Sequence, residues 1–522
     1  MKGSFKYRLY KWIALVVSMY SWAAPTPGRC AGVTIITHGL EGDVAGWIIP
    51  MAESILGTNS ICYEIEIMDD GFGFPRLTYA KLGGPDLFDS NNGEIIIKLN
   101  WHDFATIDSF LTSSTDIASW FTPVLLATNA IPELRGHPLI EFPIHLVGHS
   151  RGGSVVSEIS RLLGAQGVWV DHMTFLDPHP LAIPYGDAPV QAYSSVLFAD
   201  DYWQDIDLIT TGEPVAGAYN RQLTSLGGGY DDNHSNVHVW YHGTIDLQTP
   251  ASYFDVDSGR VISITETMRQ TWWNSYELRG DFAGFYYTLL ARGDRFSTNR
   301  PDGPGTSQIR DGYNQMWDFG AGLSANRTSL PSNNGTWPNV IRLNLTGTNL
   351  VAIGQTNTVK LYYQWARPVT SNAIVSIYLD DDFNPYNGNE RLMKQVTAPG
   401  TTAGQVSSGT VGFTPNVTNA TPGFHSVFAK ITGGGRTRYL YAPEILTVVS
   451  SFQPPRLDIA SVNSSQLRVD VLGLPGQRVV LQSSSDFQSW QPFATNWLAT
   501  NRWSYFANQT PGGRKFYRAA LQ

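Results

Sequence analysis

The residues best suited to chemistry are Gly148-His149-Ser150-Arg151-Gly152, a G-x-S-x-G pentapeptide. An apolar, strand-like run (Phe142 to Val147) leads into it, and Ser154 to Leu163 reads as a helix directly after it. A strand-to-helix turn this tight requires glycines beside the serine, because larger side chains would clash. The turn lifts the serine Oγ above the sheet edge, and the helix N-terminus favours developing negative charge. A glycine-rich turn with an idle serine is the plain alternative; the strand, turn and helix in succession favour a nucleophile at Ser150. Such a serine needs a base and an orienting acid.

The run Met173-Thr174-Phe175-Leu176-Asp177-Pro178 is a strand that a proline stops, which puts Asp177 at a strand end on the nucleophile's sheet edge. Asp200 and Asp201, at the end of the next strand-like run, are the rival acids. The base lies in Asp231 to Ile245, where His234, His238 and His242 all qualify. A histidine among Val and Trp is more often a packed ring than a base.

Taken together, these pieces resemble the pancreatic-lipase-like group of α/β-hydrolases. The matches are the His38-Gly39-Leu40 turn after the first strand, the GHSRGG elbow and the Leu-Asp-Pro after the next strand. An Asn233-His234 pair follows, with Trp240-Tyr241 and Thr244-Ile245 at set spacing behind it. The resemblance spans roughly residues 33 to 245 and implies a mostly parallel sheet with helices on both faces. It also implies a catalytic set of Ser150, Asp177 and His234, with an oxyanion hole built from the backbone N–H groups of Leu40 and Arg151. The family's loop disulfides are absent here and the C-terminal half differs, so a lid and lipid specificity do not carry over.

The elements that must position these residues alternate between strand and helix from about 32 to 180. Strand-like runs are Val33–Thr37, Ile61–Met68, Glu94–Leu99, Phe142–Val147 and Val168–Leu176. Helical patterns are Gly46–Leu56, Ser114–Ala130 and Ser154–Leu163, with further helix near Thr265–Tyr276 and Phe282–Ala291. This alternation predicts an α/β domain over 32–330. From 298 to 336 Gly, Pro, Asn and Ser dominate, as in a linker. Short strands without helices follow and predict a β-sandwich over 337–450. After Gln453-Pro454-Pro455 a small β-domain is expected over 456–522. It resembles C-terminal modules of exported proteins from environmental bacteria. The linker predicts that the α/β domain keeps its own core, so that a chain ending near Ser329 folds alone. The two β-domains would then bind a surface or polymer.

Lys2, Lys6, Arg8 and Lys11 precede the apolar run Trp12 to Trp22, and Ala23-Ala24 follow. This reads as a signal peptide over 1–24, with an uncleaved N-terminal anchor as the alternative, and places the protein outside the cell or on its surface. The chain carries 35 basic and 44 acidic residues, a net charge of −9, and losing the leader's bases makes the remainder more acidic. That balance argues against nucleic acid as a partner. After export, Cys30 and Cys62 could pair or remain buried thiols. The connection Trp203 to Gly229 is long enough to be functional, and its Trp203, Ile206, Leu208 and Ile209 could line an acyl pocket or merely pack. Asp380, Asp382 and Asn384 crowd oxygens into one turn, as a structural calcium site or a plain turn would; no other cofactor is expected. The expected substrate is therefore an ester or lipid-like molecule. An acyltransferase or phospholipase would use the same triad, and a surface-binding protein with an inactive hydrolase domain is the reading from a different class.

Overall fold

A computed structural model describes residues 32–55, 60–84, 94–108, 112–245, 252–256, 258–263, 268, 271–272, 284–288, 327–331, 335–400, 406–450, 454–474, 477–508 and 515–521. The N-terminal part is built on an eight-stranded sheet. In chain order its elements are β1 (Gly32–Thr37), α1 (Ile48–Ile55), β2 (Ile61–Asp69), β3 (Pro75–Gly83), β4 (Glu94–Asn100), α2 (His102–Ala105) and α3 (Ser114–Leu126). They continue with β5 (Ile144–His149), α4 (Arg151–Ala165), β6 (Val170–Leu176), β7 (Val196–Trp203), β8 (Tyr219–Gln222) and α5 (Asn233–Ile245). The strand order is β3-β2-β4-β1-β5-β6-β7-β8, and every neighbouring pair is parallel except β2 with β3.

The parallel strands explain the unbroken apolar runs in the sequence. Every residue of β4 is buried, because a parallel sheet is covered on both faces. Ile35, Ile97 and Leu146 pack on one face with Phe121 of α3 and Ile159 of α4. Ile36, Ile96 and Val147 pack on the other with Met51 of α1 and Trp240 of α5. Helix α3 opens on a capping box between Ser113 and Asp116. It stops at Leu126, short of the expected Ala130, where Ala127 turns extended. Strand β3 was not expected: it is an edge strand with a mostly exposed side, so its alternation carries little apolar signal. The expected helices at 265–276 and 282–291 fall largely outside the described residues, and Gly284–Tyr287 forms a turn of 3₁₀ helix.

The later strands form two further units. Three-stranded and five-stranded sheets enclose Val359, Leu361, Val375, Ile377, Val427 and Leu446. Two three-stranded sheets enclose Val469, Val471, Val479, Leu481 and Leu498. An α/β domain followed by all-β units is thus the architecture. The first unit includes the strands Arg391–Ala398 and Ser407–Phe413, and the second Arg456–Asn463 and Gln491–Trp497.

The expectation of a loosely tethered sandwich needs correcting. The sandwich is fused to the sheet end from which β5 and β6 start. Arg438 donates to Asp171 Oδ2 at 2.9 Å and to the Trp169 carbonyl at 3.0 Å. The Trp169 indole N–H donates to Gln364 at 3.0 Å, and Asn339 joins Gly167 at 2.8 Å. Tyr386 donates to Glu141 at 2.6 Å and stacks on His137. Phe428, Tyr439 and Tyr441 belong to the same apolar cluster as the α/β domain. The expected linker, where described, also packs: Thr328 pairs with Ala192 and Ser194.

Candidate active site

Ser150 lies between β5 and α4 with φ 56° and ψ −127°. A non-glycine residue there is strained, and the surroundings hold it in place. A side chain at Gly148 would strike the Gly152 carbonyl at 2.2 Å, so the turn closes only on glycine. Gly39 presses on Ser150 from the β1 side, where an added Cβ would lie 2.5 Å from Ser150 Cβ. That contact brings the segment bearing Leu40 beside the serine. Arg151 is the first residue of α4, so its N–H has no partner within the helix. These are the two amides expected to face an oxyanion.

The Arg151 side chain turns away into the protein. It forms a buried two-nitrogen pair with Asp187 at 2.7 and 2.9 Å and lies over the rings of Trp101 and Tyr185. It thereby anchors the chain that follows β6.

Asp177 follows β6, is fully buried and has φ 44°. Its carboxylate accepts four N–H groups. Oδ1 takes the backbone N–H of Gln204 at 2.8 Å and of Gly212 at 3.1 Å. Oδ2 takes the Gln204 side-chain amide at 2.8 Å and His234 Nδ1 at 2.6 Å. With Nδ1–H committed to the carboxylate, Nε2 is the basic nitrogen of a neutral His234. No hydrogen bond joins Ser150 Oγ to His234 among the described residues; in unliganded sites this leg often forms only with substrate. His149 Nε2 bonds the His234 carbonyl at 3.0 Å, and the two rings lie 4.5 Å apart. Burial keeps His149 well below the usual histidine range, so it is neutral and donates that bond.

The rival residues lie elsewhere. Asp200 is buried behind the site, accepts from Thr174 and Tyr202 and is hydrogen-bonded to His172 Nε2 at 2.9 Å. Burial pushes its carboxyl up to about 7. Asp201 accepts the Val215 N–H and is also raised by burial. His238 stacks on Trp47 at 4.5 Å, and burial drives it well below the usual range. His242 Nε2 bonds Ser54 Oγ at 2.7 Å. The structure therefore brings Asp177 and His234 together and leaves the others in the packing.

Sequence reasoning missed two residues. Gln204, fully buried, gives Asp177 two of its four donors. Asp207 accepts the N–H groups of Asn233 and His234, each at 2.9 Å, and so caps α5 where it presents His234. Both lie in the connection after β7, whose length was the one available signal.

The crowded turn at 380–389 is remote from this site. Asp380 is buried beneath Tyr441 and pushed up to about 8 by that burial. Asp382 accepts the Asn387 and Asn389 amides, and Asn384 accepts the Tyr386 N–H. Among the described residues no three His, Cys, Asp or Glu side chains gather as a metal site would need. Cys62 is a buried free thiol in β2, while Cys30 and the expected leader lie outside the described residues. No described helix is long and apolar enough to cross a membrane.

No family model matches the chain, and no curated protein does. Solved structures share parts of it. The CARDB domain of the PF1109 protein from Pyrococcus furiosus, solved with di-metal ions, is 12% identical over 22% of this chain and 97% of its own, with a TM-score of 0.15. Red sea bream transglutaminase is 12% identical over 42% of this chain and 32% of its own, at 0.19. The human OSCAR ligand-binding domain is 12% identical over 35% and 88%, at 0.19. Likenesses this partial say nothing of what the chain does.

Proposed function

We propose that the chain is an exported serine hydrolase of the α/β-hydrolase kind that cleaves carboxylic esters through an acyl-enzyme. The observation that carries this reading is the pairing of His234 with Asp177 at 2.6 Å, on the sheet edge where Ser150 stands in a strained turn ahead of a helix. In the reaction, Ser150 Oγ attacks the ester carbonyl while His234 Nε2 takes the hydroxyl proton. The N–H groups of Leu40 and Arg151 receive the negative charge on the carbonyl oxygen. The imidazolium, held by Asp177, gives its proton to the departing alcohol. Water then attacks the acyl-enzyme, giving its proton to His234, and the acid leaves as Ser150 is reprotonated.

The surface around the site favours an apolar ester. Phe72, Phe74, Ile107, Ile183, Ile206, Leu208 and Ile209 are all exposed. They sit on the segments that leave the C-terminal ends of β2, β4, β6 and β7, the edge that bears Ser150. Exposed apolar groups gathered on one face mark a contact surface. The sandwich covers the opposite sheet end, which fits a role outside the bond-breaking step.

A fluorophosphonate probe and a p-nitrophenyl ester series of increasing acyl length test the proposal. The wild-type chain should label and turn over, with a preference for longer acyl groups, and Ser150→Ala should do neither while staying folded. Labelling retained in Ser150→Ala, or a folded wild-type chain inert to both reagents, would refute it.

A further inference from the structure

We infer that Gln204 is a positioning residue of the triad, locking the Asp177 carboxylate to the loop that also holds the helix of the base. The inference rests on the proposed triad. Gln204 uses every polar atom of its side chain. Nε2 donates to Asp177 Oδ2 at 2.8 Å and to the Thr210 carbonyl at 2.7 Å. Oε1 accepts the N–H groups of Ile206 at 2.8 Å and Asp207 at 3.0 Å. Its backbone serves too: its N–H reaches Asp177 Oδ1, and its carbonyl accepts the Gly212 N–H at 3.1 Å. The loop from 204 to 212 is thus closed around one amide.

The same loop continues to the base. Asp207, fixed by Gln204 through its N–H, accepts both N–H groups at the start of α5 and the Asn233 side-chain amide at 2.7 Å. Acid and base therefore share one rigid support. The exposed Leu208 and Ile209 form the outer tip of that loop, so the apolar surface beside the site is covalently continuous with the clamp.

Gln204 Nε2 and His234 Nδ1 donate to the same oxygen, Asp177 Oδ2. A donor on that oxygen draws off charge that would otherwise hold the imidazolium. Removing it should have two effects. The carboxylate loses its fixed plane, and its remaining charge bears more strongly on His234, so the protonated, inactive base persists to higher pH. The other titratable groups near the pair are His149, His179, His238 and Asp207 on the side of His234, with Asp201 on the acid side. None changes in the variants below.

The test is a kcat and KM measurement across pH on a soluble p-nitrophenyl ester, with the folded fraction measured alongside. Gln204→Leu is expected to lower kcat about 10- to 100-fold, the worth of one hydrogen bond to a charged group, with KM little changed. The acid limb of its kcat/KM profile should move to higher pH, which a purely structural loss would not cause. Gln204→Glu keeps the size and sets a second carboxylate against Asp177. Its activity should be lost at neutral pH, because the two carboxylates repel each other and together hold His234 in its protonated, inactive form. Wild-type kcat with an unmoved acid limb in Gln204→Leu would overturn the inference. If that variant fails to fold, full neutral activity in Gln204→Glu would do so. A wild-type chain that neither labels nor turns over would instead remove the triad itself.

Discussion

The contact between Asp171 and Arg438 makes a demanding test of how the molecule is assembled. Both side chains are almost wholly buried, Asp171 in the α/β domain and Arg438 in the sandwich. Asp171 Oδ2 accepts from Arg438 at 2.9 Å and from the Ile144 N–H at 2.9 Å. Burial already lowers Arg438 from the usual arginine range, with Asp171 as the chief opposing influence. Asp171→Ala would leave a guanidinium in a dry interface and an orphaned N–H on β5. Breaking a buried pair in this way costs about 3–5 kcal/mol. For a fused unit of about 400 residues that corresponds to a fall in Tm of about 3–6 °C. The double variant Asp171→Leu with Arg438→Met should recover most of the loss, because an apolar pair has no charge to desolvate. Ester turnover well below the transition should be unchanged: Asp171 lies six residues from Asp177 along β6, about 20 Å at strand spacing. Thermal unfolding and kcat for the three chains decide the matter. A Tm within 1 °C of wild type, or a fall in kcat without a fall in stability, would refute the reasoning. By the same logic, a chain ended after Ser329 should be insoluble or unfolded, since it bares Trp169, Phe142 and the Arg438 partner.

If the proposed triad acts, Asp177→Asn and His234→Ala should each cut kcat on the order of 10⁴-fold. Asp200→Asn, His238→Ala and His242→Ala should cost far less; a greater loss at Asp200 than at Asp177 would move the acid to β7. Asp200 also carries a pH signature. Between about pH 4 and 7 the folded chain keeps a proton on Asp200 that the unfolded chain has lost, so stability should fall as pH rises through that window, by up to about 4 kcal/mol. Asp200→Asn should flatten that part of a urea-unfolding series against pH; an unchanged slope would show that the carboxyl is ionised in the fold.

Much of the site was legible because its chemistry is local. The G-x-S-x-G turn works through neighbours one and two residues away, and Asp177-Pro178 ends its own strand. Strands β4, β5 and β6 stood out because two-sided burial forces unbroken apolar runs. Strand β3 and the edge strands of the β-domains did not, since a half-exposed edge needs few apolar residues. The segment 233–245 shows little apolar periodicity, because His238 and His242 are buried along with Trp240 and Tyr241; its helix follows from packing on the sheet and the cap from Asp207.

By itself the sequence determined the order of elements, the glycine-flanked turn at Ser150 and a short list of candidate acids and bases, each encoded within a few residues. Only the tertiary structure decided which acid meets which histidine. Asp177 follows β6 while Asp200 and Asp201 lie within the last half of β7, and His234 lies 57 residues beyond the one it meets. It also decided that Gln204 completes the carboxylate, and that a stretch rich in Gly, Pro and Asn joins two domains sharing a buried ion pair. Those contacts form where chains distant in sequence exclude water together, and no short-range pattern records them.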